Sequence, residues 1–228
     1  MHLNAVLTAR LLAFVELASL NPGGHIFFPE VVGPIVERFG FQKYPTKIED
    51  FDESKGVEFL DGHFGGINVP KLTIYGNGFL VDTQSSSDDS EEILIGTLEW
   101  AREQLGITFK PEMIYRRRYL SDLVFHTDAP ILAAFKPIEN LRTNLMDMTQ
   151  VVLRERIPYD IIRMDVDFER HQRTAPIAPL TIQRRADYAF ADNIYFSQAP
   201  LPTQFHWELL ERFEKEIVEA VALLNPQK

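Results

Sequence analysis

Two carboxylates two residues apart, Asp165 and Asp167 in "MDVDF", form the sharpest chemical pattern in the chain. On an extended segment, side chains at i and i+2 share a face. A pair placed this way can hold Mg²⁺ or Mn²⁺ for phosphotransfer on a nucleotide or phosphate ester, with an arginine as clamp. The competing reading is a strand edge, with the two acids in solvent and Ile162, Met164, Val166 and Phe168 turned inward. No Gly-Ser dipeptide accompanies the pair to strengthen the nucleotide reading, and the strand edge is favoured.

Arginines cluster on an otherwise acidic chain: Arg116, Arg117 and Arg118; Arg163, Arg170 and Arg173; Arg184 and Arg185. If their segments are neighbouring strands, one face could present several guanidinium groups to phosphate, carboxylate or an acidic partner. The bland alternative is pairing with acids of the same chain, among them Asp122, Asp165, Asp167 and Glu169. Tyr115, Tyr119, Tyr188 and Phe190 interleave with these arginines, as on platforms for single-stranded nucleic acid. Near the end, Tyr195, Phe196, Phe205 and Trp207 concentrate aromatic surface of the kind found in cores and in interface centres. Trp207 falls off the main apolar stripe of its segment, which hints at an additional contact.

The loop "DTQSSSDDSEE" offers Asp82, Asp88 and Asp89 as cation ligands, but the same residues serve as a helix start. Asp88 with Glu91, or Asp89 with Glu92, forms an acidic variant of the capping box at the positive end of a helix dipole. The helix-start reading is preferred. The six histidines form no H-x-H or H-x-x-x-H pair. His126 with Asp128, and Asp61 with His63, share a two-residue spacing, and each is read as a structural histidine. No G-x-S-x-G elbow, S-x-x-K or phosphate-binding loop is present. The chain has no cysteine, which removes disulfides, thiolate ligands and cysteine nucleophiles and agrees with a cytoplasmic setting.

A formal charge of −10 opposes nonspecific binding to nucleic acid or anionic membranes, leaving a local arginine patch as the one place nucleic acid could dock. The most apolar early stretch, "LLAFVELASL", is too short for a membrane span, which takes ~20 apolar residues.

The elements that must position these groups follow from patterning. Residues 3–19 read as a buried strand closed by the turn Asn21 to Gly24. "FFPEVVGPIVERFGF" reads as a helix with Pro29 in its first turn, Gly40 as its end and Pro34 shortening or kinking it. Residues 57–83 read as a meander of two to four antiparallel strands, with Asn77-Gly78 as a type I′ hairpin turn. A helix from Ser87 ends at Gly106. Asp128 and Pro130 open a largely helical stretch that Pro137 splits or kinks, leaving a main helix over about 138–155. "YDIIRMDVDFER" and "PLTIQRRADYAF" read as strands, and "YFSQAPLPTQ" as a loop. The last helix starts at Thr203 and carries a stripe of Phe205, Leu209, Leu210, Phe213, Ile217, Val221 and Leu224.

These readings converge on an α+β protein with a mixed, mainly antiparallel sheet flanked by about four helices. It is expected as a single unit over residues 1–228, with a possible subdivision near 107–111. The functional expectation is a non-catalytic, cytoplasmic assembly or adaptor component, with no cofactor and no metal, that holds a protein partner or a second copy of itself. Its expected binding residues are Arg116, Arg117, Arg118, Arg184, Arg185, Tyr195, Phe196 and Trp207. The alternatives are the metal-dependent phosphotransfer enzyme using Asp165 and Asp167, and a module for anionic ligands or single-stranded nucleic acid using the arginines.

Overall fold

The computed structural model describes residues 1–129, 131, 136–167 and 177–224. Pro130, Phe168, Glu169, Arg170 and Arg173, named above, and His171, one of the six histidines, lie outside the described residues. The elements run β1 (His2–Phe14), α1 (Leu17–Leu20), α2 (Phe28–Phe39), β2 (Val57–Phe64), β3 (Ile67–Tyr75), β4 (Gly78–Thr83), α3 (Ser87–Leu105), β5 (Arg116–His126), α4 (Lys136–Leu153), β6 (Arg163–Val166), β7 (Leu180–Arg184), β8 (Ile194–Ala199) and α5 (Thr203–Leu224). The fold is α+β, with an antiparallel sheet ordered β2-β3-β4-β1-β5-β8-β7-β6. The chain clusters into two compact units, one of residues 6–121 with 200–204, the other of 1–5, 122–199 and 205–228.

In the unit built on 6–121, α2 has Pro29 in its first turn, continues through Pro34, and is capped by Gly40 with φ 61°, whose N–H donates to the Val36 carbonyl. Its Val32, Ile35 and Phe39 join Leu11, Phe59, Val81, Leu94 and Leu98 in one apolar core. The two-residue hairpin with positive φ at both positions is Gly65–Gly66, with Phe64 paired to Ile67, and not Asn77-Gly78. The second hairpin turns at Gly76 and Asn77, neither of which has positive φ, and Gly78 is already in β4 opposite Tyr75. Glycine is needed at 78 for another reason: a Cβ there would lie 2.4 Å from the Ala13 carbonyl oxygen of the paired β1.

The loop at 82–92 is helix initiation and docking. The N-cap of α3 is Ser86, whose side chain accepts from the Asp89 N–H, so the cap falls two residues before Asp88. Asp82 faces Arg10, its cross-strand partner on β1, through two hydrogen bonds of 2.7 Å. Ser90 is buried against the Ala9 carbonyl and Thr83, and Ser87 exchanges bonds with Thr203.

In the other unit, Leu123, Phe125, Ile182, Tyr195, Leu210 and Ile217 are buried. Two expectations are corrected there and one holds. The segment read as a loop from Tyr195 contains β8, with Tyr195, Ser197 and Ala199 inward at period two. The main helix expected over about 138–155 is α4, with Pro137 in its first turn. The inward face of α5 carries His206, Leu210 and Ile217, whereas Phe205 and Leu209 are exposed.

Candidate functional site

Of the arginines that the sequence singled out, Arg117, Arg118, Arg163, Arg184 and Arg185 can be placed by a partner. On β5 the run splits across the strand, because adjacent residues point to opposite faces. Arg117 donates to Glu91 at 2.8 Å, and Tyr119 bonds the same carboxylate at 3.0 Å. Burial, reinforced by that acid, pushes the Tyr119 hydroxyl up to about 12. Arg118 lies over the Phe14 ring, and Arg116 is exposed.

Arg184 is a clasp within the chain. It pairs with Asp160 at 2.7 Å, with both side chains nearly buried, and stacks on Phe190 and Tyr195. Arg185 reaches Asp187 at 3.4 Å. Tyr195 is fully buried, stacked on Phe125, and Trp207 meets Phe125 edge-on at 6.4 Å. Phe196 is half-buried. These aromatics serve the core of their unit.

Asp165 accepts from the Thr181 hydroxyl at 2.7 Å and from Arg163 at 2.7 Å, contacts that hold its carboxyl below the ordinary carboxylate value. Both Asp165 and Asp167 are exposed. The inward turn expected of Ile162 and Val166 does not occur: they are exposed on and beside β6, the last strand in the sheet order. His126 lies 3.9 Å from a solvent-exposed Asp128. Asp61, held at φ 58° and paired with Lys43, shares a surface depression with His63. Among the described residues no group of three or more His, Asp or Glu is placed to hold a metal ion.

The sequence reading missed a serine–histidine pair. His206 Nε2 lies 2.9 Å from Ser197 Oγ, and both residues are fully buried. Ser197 has one hydroxyl hydrogen, which it donates to the Thr181 carbonyl, so His206 donates from Nε2. Burial pulls the imidazole down to about 4 and keeps it neutral. Enclosed in this way, the pair braces α5 against β7 and β8.

The surface that stands out is α4. It is an 18-residue helix with no buried residue from Asn140 to Leu153; only Arg142, Met146 and Thr149 are even half-covered. Leu141, Leu145, Met148 and Val152 are 66%, 41%, 68% and 78% exposed, and Val151 and Leu153 flank them in solvent. The stripe was legible in the spacing of these residues, but its exposure was not. Isolated helices of this length are marginal in water, and most draw their stability from packing an apolar face. Here the apolar face is the uncovered one.

Compared with known proteins, the chain matches no family model, no curated protein and no solved structure. Among the described residues no helix is long and apolar enough to cross a membrane.

Proposed function

We propose that the protein is a non-catalytic assembly component that pairs with a second copy of itself, α4 against α4 in antiparallel. The observation that carries this reading is the exposed stripe Leu141, Leu145, Met148 and Val152. Its steps of four, three and four residues average about 3.7, close to the 3.6-residue turn of the helix, so the four side chains line one face that can pack against another helix. The spacing is also the same read from either end. A two-fold axis at the middle of the stripe sets Leu141 against Val152 and Leu145 against Met148, so a second copy is a complementary occupant and the contact closes on itself.

Full burial of such a side chain contributes about 1.5–3 kcal/mol, so at these exposures each supplies about 1–2 kcal/mol. Two stripes together give about 8–15 kcal/mol, set against an association cost of about 4–15 kcal/mol. The result is a weak, concentration-dependent pair.

Sedimentation or light scattering over a concentration series tests this. The wild-type mass is expected to climb from one chain toward two, and Met148→Glu, which puts two carboxylates in the seam and nothing new in the monomer core, is expected to stay at one. A wild type that remains a single chain into the high micromolar range, or a Met148→Glu protein that pairs equally well, overturns the proposal.

A further inference from the structure

We infer that the unit of residues 6–121 holds a binding site for a small apolar molecule bearing an amine, in a cavity walled by α2, α3 and the β3–β4 hairpin. The cavity encloses about 320 Å³, at the lower end of the ~300–1,000 Å³ of small-molecule sites and large enough for one ring system or a short alkyl chain. Ile35, Leu72, Ile74, Phe79, Leu94 and Leu98 make its lining almost wholly apolar, and all six are buried. Folded interiors are close-packed, with few voids larger than a water molecule, so a space of this size amid core side chains is not ordinary packing loss. It reaches the surface at exposed Ala18 and half-buried Glu53.

The polar groups at this cavity define the head of the ligand. The Asn21 side chain is oriented by the Ile26 backbone, donating to its carbonyl and accepting its N–H, with one amide hydrogen left over. Thr97 spends its hydroxyl hydrogen on the Ile93 carbonyl and has only lone pairs left to offer. Among the described residues Glu53 is the only charged one in the lining, and its carboxylate makes no ion pair or hydrogen bond with the others. Its backbone carbonyl is tied to the Gly76 N–H at 3.2 Å, which fixes the residue beside the cavity. A candidate for the opposite preference is Arg38, which stacks on the lining residue Trp100. Its guanidinium lies 5.1 Å from the Trp100 ring and 4.7 Å from the Phe64 ring, and it does not line the cavity. Against the Thr97 and Glu53 acceptors stand two neutral donors, the Trp100 indole N–H and the second Asn21 amide hydrogen. The one charge at the site is thus the Glu53 carboxylate, and it selects an ammonium over a carboxylate on the same apolar body. The site owes nothing to α4, so its occupancy and the pairing of copies are tested separately.

The experiment titrates the full chain with 4-phenylbutylamine and with 4-phenylbutyrate, followed by calorimetry and by amide chemical shifts. The amine is expected to bind and to shift amides of α2, α3 and β3, with the acid at least about tenfold weaker, the discrimination of one charge-assisted contact. Glu53→Gln is expected to erase that tenfold preference while leaving apolar binding in place. Ala101→Phe, which fills the cavity from α3, is expected to abolish binding of both compounds. Should Ala101→Phe not fold, the shift map of the wild type and the Glu53→Gln comparison decide. No binding by either compound, equal binding of acid and amine, a preference that survives Glu53→Gln, or shifts centred away from α2 and α3 each overturn the inference.

Discussion

The buried His206 makes stability depend on pH in a way that can be worked from its surroundings. Its imidazole is fully enclosed and is pulled by burial from the ordinary 6.5 to about 4. Below pH 6.5 the unfolded chain takes up a proton at this histidine, while the folded chain stays neutral there until pH 4. Stability is therefore complete above pH 6.5 and falls with decreasing pH at up to about 1.4 kcal/mol per unit, the penalty levelling off below pH 4. Over the window the loss is about 3 kcal/mol, a large share of the ~5–15 kcal/mol that holds a domain folded. The perturbation is His206→Gln, which keeps a donor for Ser197 and removes the titration. Urea unfolding of both proteins at a series of pH values isolates the effect, because the carboxylates common to both cancel in the difference. The gap between wild type and variant is expected to narrow or invert by about 3 kcal/mol in favour of the variant between pH 6.5 and pH 4. A gap that stays constant over that window, or an imidazole that titrates near 6.5 in the folded protein by NMR, refutes the reasoning.

Further outcomes follow from the fold. Gly78→Ala drives a Cβ onto the Ala13 carbonyl and is expected to destabilise by about 2–3 kcal/mol by thermal or urea unfolding. Gly66→Ala meets open space at φ 87° and is expected to lose about 1 kcal/mol. Ser86→Ala removes the α3 cap and is expected to lose about 1 kcal/mol, with Asp88→Ala losing less. The reverse order would return the cap to the acids. Asp160→Ala leaves Arg184 nearly buried without its acid and is expected to destabilise by about 3 kcal/mol. Replacing both by Leu and Met is expected to recover most of that loss, and a double variant as unstable as the single would count against the pair.

Sequence reasoning reached furthest where the physics is local. Gly40 and Gly106 close α2 and α3 in the left-handed conformation, and both ends were readable because few other residues adopt it cheaply. The meander at 57–83 was readable from period-two patterning. The turn inside it was misplaced because Asn77-Gly78 satisfies the hairpin rule locally. Gly78 answers to a different constraint, the approach of β1 from a distant part of the chain, and no local rule carries that information. The strand β8 was missed because its inward positions include Ser197. Its burial depends on two partners, Thr181 and His206, supplied by other elements.

The site residues divide along the same line. Composition named the arginines and aromatics, but pairing is a property of three-dimensional neighbours. Only the tertiary structure decided that Arg184 would face Asp160 and that Arg117 would face Glu91. The α4 stripe is the sharpest case. Its spacing was written in the sequence and looks the same whether the face is buried or bare, because a hydrophobic period reports that a helix has an apolar side without reporting what covers it. The chain by itself determined helices, strands and their ends. Which faces remained in solvent was settled only when the elements met.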